Sequence, residues 1–70
     1  MASQNRELKK AGLKVTAPRL KILAMLSDAS EHGDHLSAED LYQRLRDIGE
    51  DIGLATVYRV LTQFETAELI

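Results

Sequence analysis

Two runs of helical apolar periodicity, parted by a short glycine-bounded connection, constrain this chain more than any other feature. Ala38, Leu41, Tyr42, Leu45 and Ile48 recur at i, i+3, i+4, i+7 and i+10, which lays one apolar stripe along a helix. Gly49 ends that run and Glu50-Asp51-Ile52-Gly53 connects it to the next. Leu54, Val57, Leu61 and Phe64 then share one face of a second helix. The start of the first helix is marked by Ser37, with Asp40 three residues on. This is a capping-box pattern with Asp in place of the preferred Glu or Gln. Leu36 before the cap and Leu41 inside it form a hydrophobic staple. Gly53 is a permissible N-cap for the second helix, with Ile52 and Val57 as its staple. Two amphipathic helices joined this tightly make a helix-turn-helix, in which the second helix is normally the one presented to DNA.

The two helices differ in what they turn outward. The first shows Glu39, Asp40, Gln43, Arg44, Arg46 and Asp47, an ordinary solvated mixture. The second shows Ala55, Arg59, Thr62 and Gln63, with Tyr58 on the border of its apolar face. That outer face is small and polar, with a single arginine and no acid. Such a surface suits a groove lined with hydrogen-bond acceptors, and the DNA major groove is the leading candidate. The same periodicity also fits a helical protein-interaction module that uses the acidic middle of the chain. A steep fall of duplex affinity with salt would separate the two.

The rest of the chain reads as two further helices and no strand. One runs from about Ser3 to Ala11, with Ser3 as N-cap and Gly12 as the stop. The other follows Thr16, a good N-cap, with Pro18 in its first turn, where a missing N–H costs nothing. Leu20, Ile22, Leu23, Met25 and Leu26 cover most of its circumference, which marks it as the central core helix. Ser30 to His35 is polar, contains Gly33, and reads as a loop. The fold expected is therefore all-α, about four helices in a single domain over residues 1–70.

Composition narrows the function by exclusion. The absence of cysteine removes disulfides and any thiolate metal site within this chain. No apolar run approaches the roughly 18 residues of a membrane span, and no signal-peptide pattern is present, so a cytoplasmic location is expected. No Ser/His/acid or Cys/His set and no glycine-rich phosphate loop supports an enzyme. A net charge of -2 argues on its face against a nucleic-acid binder. The charge is unevenly placed, however. Residues 1–21 carry Arg6, Lys9, Lys10, Lys14, Arg19 and Lys21 against Glu7 alone, whereas the acids gather between residues 22 and 53. Counterion release needs only a local cluster of cations facing phosphate.

Three strings carry a family resemblance: LKKAGLKVTAPRLKIL (Leu8 to Leu23), HLSAEDLYQRL (His35 to Leu45) and GEDIGLATVYRVLTQFE (Gly49 to Glu65). Together they resemble the N-terminal domain of the ferric uptake regulator family, over nearly the whole chain. ATVYRVL at this distance from KVTxPR is highly specific to that family. The strings look more like its iron-responsive members than its zinc- or peroxide-sensing ones. The resemblance implies a winged helix-turn-helix with the β-wing truncated or missing, since the chain stops at Ile70, where the wing's first strand would start. Ala67 is followed by Glu68 where the family usually has glycine, so the last helix is expected to run on toward Ile70.

The resemblance further implies a metal-dependent repressor that binds A/T-rich inverted repeats of double-stranded DNA. Full-length members are homodimers, completed by a metal-binding dimerisation domain. Tyr58 and Arg59 match the family's recognition-helix pair. The Tyr58 ring would pack on thymine methyls, and Arg59 would contact a base edge or phosphate. Lys14 matches the lysine that reaches an adjacent minor groove, and Arg19 a phosphate-contacting position. Thr56, in the first turn, is a candidate donor to phosphate. Each has a bland alternative: Tyr58 as a half-buried core tyrosine, Arg59 and Lys14 as solvated cations, Thr56 as a local cap. His32 and His35 flank Gly33-Asp34, and spacing alone gives little reason to call that a metal site. The resemblance singles out His35 as the histidine this domain lends to the regulatory metal. Fe(II) or Mn(II), with a structural Zn, is implied for the full-length protein. This stretch by itself is expected to be monomeric and to hold no metal.

Overall fold

A computed structural model describes residues 3–70, and of Ser3 only the backbone. The capping role expected of the Ser3 side chain therefore lies outside the described residues. Four helices follow in order: α1 (Ser3–Lys10), α2 (Ala17–Glu31), α3 (Ala38–Asp47) and α4 (Leu54–Thr66). No strand occurs among the described residues. Helices α3 and α4 pack most extensively on each other, α2 lies against α4, and α1 lies against α2.

The helix starts follow local side-chain chemistry. Thr16 Oγ1 accepts the Arg19 N–H at 3.3 Å, satisfying one orphan donor at the start of α2, with Pro18 in the first turn. At α3 the capping box is reciprocal. The Asp40 N–H donates to Ser37 Oγ and the Ser37 N–H donates to Asp40 Oδ2, both at 3.1 Å. Gly53 precedes α4 without any side-chain cap, so that helix depends on packing.

Its packing is with the core that all four helices share. The largest fully buried side chains are Leu8 from α1, Ile22 from α2, Leu41 and Leu45 from α3, and Val57 and Phe64 from α4. Burying each contributes about 1.5–3 kcal/mol. Leu36 and Ile52, the two outer staple residues, pack against this core while remaining partly exposed.

The structure departs from the sequence reading at several points. Helix α1 ends at Lys10, one residue early, and α2 continues through Ser30 and Glu31 into the expected loop. The apolar face of α2 carries on to buried Ala29, whose carbonyl accepts the turn-closing N–H groups of His32 and Asp34. Ile48 does not extend the α3 stripe. It sits at the C-cap with non-helical backbone and is 59% exposed. On α4, Val60 is buried beside Val57 and Phe64, whereas Leu61 is only partly covered. Helix α4 also does not run on toward Ile70. It stops at Thr66, with Glu68 taking a left-handed φ of 59° in place of glycine. The Leu69 N–H then reaches the Phe64 carbonyl at 2.9 Å and closes the end.

Candidate nucleic-acid interface

The exposed face of α4 is formed by Ala55, Tyr58, Arg59 and Thr62, with acids entering only at Glu65. Arg59 makes no hydrogen bond or ion pair among the described residues. Its guanidinium, with five donors and a fixed charge, is free for an incoming acceptor. Thr62 turns its hydroxyl back to the Tyr58 carbonyl at 3.0 Å, which keeps it close to the helix surface. Thr56 is half-buried in the first turn and its hydroxyl has no partner among the described residues.

Tyr58 is half exposed, at 49%, so it is no core residue. Its hydroxyl donates to Glu39 Oε2 at 2.7 Å, spanning from α4 to the first turn of α3. That hydrogen bond to a carboxylate favours the neutral phenol and raises its pKa above the ordinary value, with burial adding to the shift. The ring is therefore held by its polar end.

Gln63 departs from the outward position expected for it. It is half-buried, and its Oε1 accepts both Nε–H and Nη2–H of Arg19, at 3.2 and 2.9 Å. Arg19 Nη1 donates to the Lys14 carbonyl oxygen at 2.8 Å. The far half of α4 is thus tied to two neighbouring groups distant from it in sequence, the turn before α2 and the first turn of α2. The Lys14 side chain is exposed beside this junction. Arg19 has three of its five donors committed within the protein. Lys21, another cation of the basic N-terminal third, pairs with Glu50 Oε1 at 3.0 Å. That pair braces α2 against the α3–α4 connection, and at such exposure contributes roughly 0–1 kcal/mol.

His35 is exposed in the 32–37 loop and lines a shallow groove with Asp40, Gln43 and Arg44. His32 has turned away, its Nδ1 lying 2.8 Å from the Asp28 carbonyl oxygen. No three His, Cys, Asp or Glu side chains converge among the described residues. One imidazole falls short of the four or more ligands that a transition-metal site uses. His35 fits a metal only as one ligand of a set completed by groups elsewhere.

Glu39 and Gln63 are the two residues of this surface whose roles the sequence did not reveal. Each acts on a partner far away in the chain, and no local spacing marks such a pair. The one usable signal is that Gln63 lies one helical turn beyond Arg59, on the same strip of α4.

The description of the ferric uptake regulator family matches residues 10–70, which takes in α2, α3, α4 and every residue of this surface. The chain belongs to the ferric uptake regulator family. Over 67 residues it is 64% identical to the ferric uptake regulation protein of Pseudomonas aeruginosa, covering 96% of this chain and 48% of that one. It is 63% identical to the corresponding protein of Escherichia coli K12, covering all of this chain and 46% of that one. Among solved ferric uptake regulators, the one from Pseudomonas aeruginosa with manganese matches with a TM-score of 0.82 and 65% identity. That match covers 93% of this chain and 47% of the other. The regulator from Vibrio cholerae matches with a TM-score of 0.81 and 62% identity, over 90% of this chain and 47% of that one. The chain thus spans about half the length of the ferric uptake regulators it matches. Over that half, the four-helix arrangement is the family's own fold.

Proposed function

We propose that this chain is the DNA-reading domain of a metal-dependent transcription regulator, an iron-responsive repressor that binds A/T-rich inverted repeats as a dimer. The observation that carries the reading is Arg59: an exposed, unpartnered guanidinium at the middle of an outward face to which α4 itself contributes no acid before Glu65. Arg59 contacts a base edge or phosphate, and Tyr58 lays its ring on thymine methyls. Lys14 reaches the narrow, electronegative minor groove of A/T-rich sequence. Arg19, through its two uncommitted donors, and Thr56 lie at phosphate.

The Vibrio cholerae relative is described by its DNA-binding domains and the Pseudomonas aeruginosa relative was solved with manganese, which supports both halves of the reading. His35 would supply one imidazole to a regulatory Fe(II) or Mn(II) whose other ligands come from the dimerisation domain. Metal binding there would bias the dimer geometry that sets the spacing of two such domains. The function is recognition without a chemical step, and its place is the cytoplasm.

The test is binding of the intact, metal-loaded protein to an A/T-rich inverted-repeat duplex and to a scrambled duplex of equal composition, across salt concentrations. The expected result is tighter binding to the repeat and a linear fall of log K with log salt. Absence of binding at low salt would overturn the reading.

A further inference from the structure

Arg19 and Gln63 are 44 residues apart, yet share two hydrogen bonds on one amide oxygen. The third donor, Nη1, holds the Lys14 carbonyl at 2.8 Å. The Arg19 backbone is itself fixed, because its N–H is the one that caps on Thr16. A guanidinium is planar and rigid, so Nε, Nη1 and Nη2 cannot change direction independently. Moving α4 relative to the Lys14 turn therefore cannot be followed by the fork without losing the contacts on one of its two sides. Gln63 lies one turn beyond Arg59 on the same helix, so whatever fixes Gln63 also fixes the strip that carries Arg59.

We propose that Gln63 is a positioning residue for DNA reading. By accepting the Arg19 fork, it fixes the spacing between the Arg59 face of α4 and the Lys14 turn, so that the two engage the duplex together. This rests on the DNA-binding reading above. Gln63 is uncharged, so its loss removes no cation and acts on the DNA charge only by disengaging Lys14. That separates it from a residue that contacts the backbone.

The experiment uses the intact, metal-loaded protein and an A/T-rich inverted-repeat duplex. Gln63→Ala, Arg19→Lys, Lys14→Ala and the Gln63→Ala/Lys14→Ala double variant are titrated at several salt concentrations, with thermal melts as fold controls. Gln63→Ala is expected to weaken binding by about tenfold, with a salt slope reduced by no more than Lys14→Ala reduces it. Arg19→Lys should lose a similar amount, because an ammonium keeps the charge and cannot span both acceptors. Lys14→Ala should cost distinctly less in the Gln63→Ala background than in wild type. A residue that merely stabilises the fold would leave that cost unchanged.

Wild-type affinity in Gln63→Ala would overturn the proposal, as would independent losses in the double variant. Full affinity in Arg19→Lys would do the same by reducing Arg19 to a point charge at phosphate. Loss of wild-type duplex binding would overturn the DNA reading itself. Intact wild-type binding with an indifferent Gln63→Ala overturns this proposal alone.

Discussion

Tyr58 and Arg59 are adjacent in sequence and opposite in how they are held. The phenol is tied to Glu39 at 2.7 Å, whereas the guanidinium has no partner among the described residues. Because the carboxylate favours the protonated phenol, removing its charge must lower the Tyr58 pKa toward the ordinary tyrosine value. In a Tyr42→Phe background, Glu39→Gln should therefore shift the alkaline ultraviolet titration of the remaining tyrosine to lower pH. An unmoved titration would mean that the Glu39 contact does not persist in solution. Arg59's outward position was legible in the sequence, because its neighbours at i−4 and i+3, Ala55 and Thr62, are small. The tie between Glu39 and Tyr58 was not, since it joins two helices and depends on how closely they approach.

At the level of the helices, starts were more legible than stops: Thr16, Ser37 and Gly53 precede α2, α3 and α4 as read, whereas only the stop of α3 was read correctly. Gly49 closes α3 as its position suggested, with a φ of 83° that L-residues rarely adopt. Glu68 performs the same closure at α4 with a side chain attached, at φ 59°. The sequence suggested that lack of glycine would let α4 continue. The Leu69 N–H bond to Phe64 prevails instead, and the backbone bears the strain. Glu68→Gly should then stabilise the domain by about 1 kcal/mol, read as a rise in melting temperature. Lowered stability would show that Glu68 is not strained there.

The capping box makes a second prediction at this scale. The Ser37 backbone N–H, and then its hydroxyl, hold the Asp40 pKa below the ordinary aspartate value. A depressed carboxylate pKa contributes stability that is fully present above the unfolded value and is lost as pH falls through the folded one. Asp40→Asn should therefore flatten the acid limb of the stability profile relative to wild type. Identical acid limbs in the two proteins would contradict the cap.

At the scale of the whole molecule, the net charge of -2 concealed the arrangement that matters. The sequence showed cations massed in its first third, and the structure sorts them. Lys21 is paired with Glu50 and Arg19 is engaged with Gln63 and the Lys14 carbonyl, while the Lys14 side chain itself stays exposed. The core was partly legible: the α3 stripe and Phe64 were read from periodicity, but Leu8, which anchors α1, was not. A single leucine in a short basic helix gives no periodic signal, and it is the tertiary packing of α1 on the shared core that buries it.

The proposed reading of DNA by α4 goes through the Arg59 guanidinium, which the fold leaves free. Arg59→Ala in the intact protein should lose about 1–3 kcal/mol of affinity for an A/T-rich inverted-repeat duplex. Its thermal stability should stay within about 0.5 kcal/mol of wild type, because the side chain supports nothing inside the domain. Undiminished duplex affinity in a folded Arg59→Ala protein would contradict DNA reading by α4.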